Sequence, residues 1–199
     1  MEKINVYKLT KQVKIMALLT WIIISILALV ILAFIMYYNR FVILENRIDN
    51  SLAQIDVQLR RRGELVPNLI ETVKGYAKHE KGIMKDVTDA RKSLLGAKDI
   101  QSRAKAGAEL QNALKSIFAL AENYPQLKAN ENFLHLQQEL AAIEDKISYS
   151  RQYYNDSILS YNNGVERFPG MFFARLYGKH EKQMLKIPEE TKAVPKVSF

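Results

Sequence analysis

The sequence predicts an all-α protein, an N-terminal transmembrane helix followed by an elongated antiparallel four-helix bundle. Two patterns carry that prediction: an uncharged apolar run over residues 15 to 38, and beyond it long stretches in which apolar residues recur at spacings of three and four. Composition agrees with both. With 8 Gly and 5 Pro in 199 residues, turn formers are too scarce for a β-sandwich, and 48% hydrophobic against 25% charged residues is a normal globular balance. With the apolar run set aside, about 160 residues remain, the size of one domain.

The run from Ile15 to Tyr38 contains no charge, and at 1.5 Å per residue a helix of that length covers about 36 Å, enough to span a bilayer with some tilt. A cleaved signal peptide would have a shorter apolar core ending at small residues, whereas Tyr37, Tyr38, Asn39 and Arg40 follow here. Trp21, Tyr37 and Tyr38 are expected at the membrane interfaces. Lys3, Lys8, Lys11 and Lys14 precede the span against Arg40 and Arg47 after it, which favours a cytoplasmic N terminus and an extracytoplasmic domain. Of the net charge of +8, three lie before residue 15 and the rest are spread along the chain and interleaved with acids, without any nucleic-acid-binding motif, so nucleic acid is not an expected partner.

After the span, Phe41, Leu44, Ile48, Leu52, Ile55, Leu59, Val66, Leu69, Val73 and Tyr76 mark one face of a long helix, with Arg62 at the missing step. Pro67 removes the helical bond to the carbonyl of Gly63, so a kink is expected there, although the register survives on both sides. Residues 82 to 96 read as a second helix (Ile83, Val87, Ala90, Leu94) stopped at Gly96. Residues 100 to 123 read as a third, and Pro125 breaks the chain. Asn130 is placed to cap a fourth, with Phe133, Leu136, Leu140, Ile143, Ile147, Tyr154, Ile158, Tyr161, Val165 and Phe168 on one face until Pro169 and Gly170. An even number of passes returns the chain toward the membrane near Phe168. The expected organisation is a basic N-terminal segment over 1–14, the transmembrane helix over 15–38, the bundle over 39–168, a short amphipathic segment over 169–187 and a mobile tail over 188–199. The heptad-like stripes give the long helices coiled-coil character.

Few residues suggest chemistry. The absence of cysteine excludes disulfide scaffolds, thiol enzymes and cysteine-ligated metals. His79, His135 and His180 lack metal-ligand spacing, and Glu139, Glu144 and Asp145 read as a solvated face rather than half of a di-iron site. No nucleotide-binding or hydrolase motif is present. No catalytic, cofactor-binding or metal-binding residue is therefore assigned, and no cofactor is expected. Tyr149, Tyr153, Tyr154 and Tyr161 fit core and rim positions better than a stacking platform. Arg60, Arg61 and Arg62 suit either phosphate binding or, for Arg62 on the apolar register, an ion pair with an acid of another helix.

The segment from Phe168 to Ile187 mixes aromatics with cations. Phe172, Phe173, Arg175, Tyr177 and Lys179 are expected at the membrane interface; closing the end of the bundle or contacting another subunit are the alternatives.

The run from Gln54 to Glu80, with Gln58, Arg61, Arg62, Pro67, Asn68, Gly75, Tyr76, His79 and Glu80, closely resembles the signature segment of the LemA family. Two further stretches agree: Tyr124 to Phe133 with Asn130 and Asn132, and Arg151 to Asp156 with Tyr154 and Asn155, followed by Tyr161-Asn162 and Phe168-Pro169. The resemblance spans nearly the whole chain; Leu52 departs from it, where relatives often carry Trp. It implies a bacterial, single-pass cell-membrane protein with a helical bundle and supplies no established biochemical activity. Family descriptions place the short N terminus outside, opposite to the lysine count. Together these readings lead to a non-enzymatic, membrane-anchored helical scaffold in the lipid bilayer that binds membrane-protein partners or itself as a homo-oligomer. The alternatives are a membrane-remodelling or envelope-stress protein that polymerises on lipid, and an enzyme subunit.

Overall fold

The computed structural model describes residues 2–185, with side chains from Gln12 onward. The expectations for Lys3, Lys8 and Lys11, and for the chain from Lys186 through the tail 188–199, lie outside the described residues. Within them the protein is all-helical: α1 (Glu2–Tyr76), α2 (Lys81–Gly96), α3 (Ile100–Ala121), α4 (Pro125–Lys128), α5 (Glu131–Glu166) and α6 (Gly170–Leu176), with no strand among the described residues. The apolar run and the first amphipathic stretch are thus one helix. Pro125 does not simply break the chain, because its missing N–H and fixed φ suit the first position of the one-turn α4. The described residues divide into two compact units, one of 2–45 with 160–182 and the other of 46–159 with 183–185; α1 and α5 each contribute to both.

In the first unit, α1 supplies a helix long and apolar enough to cross a membrane, and no residue of its most apolar stretch is buried. Below that stretch Phe41 and Leu44 are buried, and Tyr161 of α5 packs edge-on against Phe41 at 5.8 Å between ring centroids. After α5, a cis Phe168–Pro169 bond leads into α6, which lies against α1. The start of α6 also turns back so closely on α5 that it demands glycine, because a methyl on Gly170 would overlap the carbonyl oxygen of Gly164.

In the second unit the core is the predicted stripes. Ile48, Ile55, Leu59, Val66, Leu69 and Val73 of α1 are buried, as are Leu110, Leu114 and Ile117 of α3 and Phe133, Leu140, Ile143 and Ile147 of α5. Each such side chain contributes about 1.5–3 kcal/mol of transfer free energy. Three register details differ from expectation, one of them in α2, where Met84 rather than Ile83 is buried. At the first step the core position is Ser51 rather than Leu52; its hydroxyl donates to the Ile48 carbonyl at 2.8 Å and so enters the core satisfied. At the end of α1 the core position is Ala77, four residues after Val73 and still donating to its carbonyl at 2.8 Å, which leaves Tyr76 exposed.

Pro67 sits inside α1 without ending it. The carbonyl of Gly63, deprived of its helical donor, accepts instead from Nε of Arg91 on α2 at 2.6 Å. Other ends are capped from the sequence. Asp99 accepts from the Ser102 N–H at 2.9 Å in a reciprocal capping box at the start of α3, and these bonds hold its carboxyl below the usual range. Asn130 accepts from the Phe133 N–H at 3.0 Å at the start of α5, as its position predicts.

Candidate functional site

Two clusters in the structure carry chemistry beyond apolar packing, one in each unit. The first is an aromatic collar where the uncharged run of α1 ends. The α6 residues that face α1 are Phe173, stacked on Tyr37 with centroids 4.6 Å apart, and Tyr177, edge-on to Phe34 at 4.9 Å and to Tyr38 at 5.5 Å. The Tyr177 hydroxyl donates to the Phe34 carbonyl at 2.7 Å. Glu45 lies within the same unit: both its oxygens accept from Lys179 Nζ, at 2.9 and 2.7 Å, and Tyr161 donates to it at 3.5 Å. Burial, together with the Glu45 charge, pushes the Tyr161 phenol up to about 12. Lys182 Nζ sits 5.3 Å from the Tyr161 ring centroid, and the Asn162 amide clamps the Lys182 backbone, donating to its carbonyl and accepting from its N–H at 2.9 Å each.

Among the residues expected at an interface, Trp21, Tyr38, Phe172 and Arg175 are exposed. Phe173, Tyr177 and Lys179 are instead turned onto α1 and Glu45. Phe168, expected on the core stripe of α5, is exposed, because α5 has already ended at Glu166.

The second cluster is polar and lies in the helical core. Arg62, 3% exposed, pairs with Glu144 of α5, and its neighbour Arg61 pairs with Glu139 at 3.7 Å. Arg62 is therefore an interhelical ion-pair residue and not a phosphate ligand, and Glu139 and Glu144 are not a solvated face; only Asp145 is exposed. Burial pulls the Arg62 guanidinium down to about 10, which leaves it charged at neutral pH. Arg62, Glu144 and Arg151 line a cavity of ≈ 20 Å³ with Leu185, and burial lowers Arg151 as well. Arg103 of α3 pairs with Asp56 of α1.

The motif residues mostly join one segment to another. Tyr76 accepts from the Asn130 amide at 3.0 Å, and Tyr124 donates to Glu80 at 3.2 Å. Asn155 clamps the Leu185 backbone, donating to its carbonyl at 3.1 Å and accepting from its N–H at 2.9 Å. Tyr154 is buried; Gln58 keeps its Oε1 buried without a protein partner. Asn68, Gly75, His79 and Asn132 are exposed, and a side chain on Gly75 would meet no atom within 4 Å. Pro169 follows the cis bond before α6. Sequence reasoning missed Asp56–Arg103, Arg91 with Gly63 and the Lys182 clamp, none of which has a local signature. Among the described residues no group of three or more His, Asp or Glu converges as a metal site would require.

Fold and clusters define a class: among the described residues, an all-helical protein with one helix long and apolar enough to cross a membrane and with a buried arginine paired to an acid of another helix. The chain belongs to the LemA family, whose model matches residues 51–199. It is similar to the magnetosome protein MamQ of Magnetospirillum gryphiswaldense, 27% identical over 78% of this chain and 67% of that protein. Magnetosome protein MamQ 2 of Paramagnetospirillum magneticum is 26% identical over 78% of this chain and 68% of its own length. Protein LemA of Metamycoplasma hominis is 26% identical over 62% of this chain and 57% of its own length.

Proposed function

We propose that the protein is a membrane-anchored, self-associating helical scaffold with no catalytic role, residues 15 to 38 crossing the bacterial cell membrane and α1, α2, α3 and α5 forming an antiparallel four-helix bundle. One observation carries this reading: α1 passes without interruption from an apolar stretch with no buried residue into a helix whose buried charge, Arg62, is spent on Glu144 of another helix. An exposed surface of that composition needs lipid around it. A buried ion pair with a committed partner does structural work and leaves no free acid or base for a substrate. The pairs Arg61–Glu139 and Tyr76–Asn130 ascend α1 while descending α5, which supports the antiparallel arrangement.

The test is to purify the full-length protein in mild detergent, reconstitute it in lipid, and size and image it. A membrane-retained oligomer, as a ring or a filament, is the expected result. A monomer that carbonate extracts from membranes would remove both anchor and scaffold. For orientation we favour a cytoplasmic N terminus on the lysine count, so protease added to spheroplasts should digest the domain and spare an N-terminal tag.

A further inference from the structure

The residues of α6 divide into two faces with different fates. Gly170 and Ala174 are buried, and Phe173 and Tyr177 lock onto α1 between Phe34 and Tyr38, at the end of its uncharged run. The other face bears Phe168, Phe172 and Leu176, which are 78%, 59% and 68% exposed, and the rings of Phe168 and Phe172 touch edge-on with centroids 5.9 Å apart. Arg167 and Arg175 flank it, both exposed, and no acid occurs between Arg167 and His180.

We propose that this outer face of α6 is a lipid-interface foot: Phe168, Phe172 and Leu176 enter the boundary between headgroups and acyl chains beside α1, while Arg167 and Arg175 meet anionic headgroups. The proposal rests on the reading of residues 15 to 38 as a membrane span. Given that span, the position of α6 follows from its pin. The Tyr177 hydroxyl bonded to the Phe34 carbonyl and the Phe173 ring stacked on Tyr37 hold α6 at the level where the span leaves the bilayer core. On α1 the residues between those contacts, Ile35 and Met36, are exposed too, as lipid-facing residues of a span are. Tyr177 suits the place, since its hydroxyl is satisfied inside the protein and brings no unmet donor into a region poor in water. Cations without intervening acids complement an anionic surface, whereas a symmetric contact with a second copy would set Arg167 and Arg175 against their own like charges.

The chain contains no cysteine, so single cysteines can be introduced cleanly. Phe168→Cys, Phe172→Cys and Leu176→Cys in the full-length protein are labelled with an environment-sensitive fluorophore and reconstituted in phosphatidylcholine–phosphatidylglycerol vesicles. Leu27→Cys, within the span, and Glu181→Cys, exposed beyond α6, bracket the scale. The expected result is blue-shifted emission at 168, 172 and 176, loss of iodide quenching, and quenching by spin-labelled lipid, as at position 27. Labels that behave like position 181 overturn the proposal. Labels shielded from both quenchers also overturn it, in favour of a second copy. Should position 27 itself be reached by iodide, the span fails and takes the foot with it; lipid quenching at 27 with aqueous behaviour at 172 removes the foot alone.

Discussion

The ion pair between Arg62 and Glu144 makes an asymmetric prediction. Arg62 is 3% exposed and Glu144 31%, so the two partners depend on each other unequally. Glu144→Ala leaves a guanidinium in the core, in a cavity it shares with Arg151, without the carboxylate that pairs with it. Removing one partner of a buried pair costs about 3–5 kcal/mol, and alanine, the best helix former, adds no penalty of its own in α5. Arg62→Met puts an apolar chain of similar length on the apolar register and leaves Glu144 able to turn toward solvent, so about 0–2 kcal/mol is expected. Replacing both, as Arg62→Met with Glu144→Leu, should return stability to within about 1 kcal/mol of the unaltered protein.

Thermal unfolding of the full-length protein in detergent, followed by far-ultraviolet circular dichroism, measures all three. At about 2–4 °C per kcal/mol for a chain of this size, Glu144→Ala should lower Tm by about 6–20 °C and the double variant by only a few degrees. A loss of under about 2 °C for Glu144→Ala, or a larger loss for Arg62→Met than for Glu144→Ala, would refute the reasoning.

Four further outcomes follow from named contacts. Arg91→Ala strands the Gly63 carbonyl and should cost about 1–3 kcal/mol, but less in a Pro67→Ala background, where residue 67 regains the N–H that the carbonyl lacks; equal costs in a double-mutant cycle would separate the two residues. Asn155→Ala and Asn162→Ala should each accelerate hydrogen exchange at one backbone amide, that of Leu185 and of Lys182 respectively, and unchanged exchange would show that the clamps do not hold in solution. The raised Tyr161 pKa means that the unfolded chain ionises near the ordinary value of about 10 while the folded chain stays protonated to about 12, so its stabilisation is complete below pH 10 and lost as pH rises through 12; Tyr161→Phe should flatten alkaline stability over that window and remove the latest step of the phenolate absorbance titration. Gly170→Ala should cost about 1–3 kcal/mol and displace the start of α6 from α5, seen as faster exchange across residues 170 to 177, because the added methyl meets the Gly164 backbone rather than a movable side chain.

Much of this architecture was legible because helical stripes are long-range consistent. Arg62 stood out as the polar residue on an apolar register, and an interhelical partner was one of its two readings; Asn130 and Gly96 marked ends for reasons local to the chain. Legibility failed toward the ends of the helices. Tyr76 and Phe168 both extend a stripe by one correct interval, yet Ala77 takes the core position at the end of α1, Phe168 lies past the end of α5, and both Tyr76 and Phe168 face out. Phe172 and Phe173 are adjacent and chemically identical, and only the docking of α6 sends one ring onto Tyr37 and the other to the surface.

The same distinction explains why the family motifs pointed to no chemistry. Gln58, Asn130, Asn155 and the arginines are residue types that also build catalytic sites, and spacing alone does not say which. In the folded chain the bonds run outward from each motif: Arg62 to Glu144, Tyr76 to Asn130, Tyr124 to Glu80, Asn155 to the backbone of Leu185. A catalytic constellation requires several polar groups aimed at one shared, accessible point. Here Arg62, Tyr76, Tyr124 and Asn155 each reach a different helix or backbone segment, and the cavity beside Arg62 has about one water molecule's volume, while a larger one of ≈ 360 Å³ is lined by Asp56, Arg60, Glu64 and Arg103. Polar residues arranged in that way fix the register between helices, which is the property a scaffold needs if its surfaces are to present the same geometry in every copy.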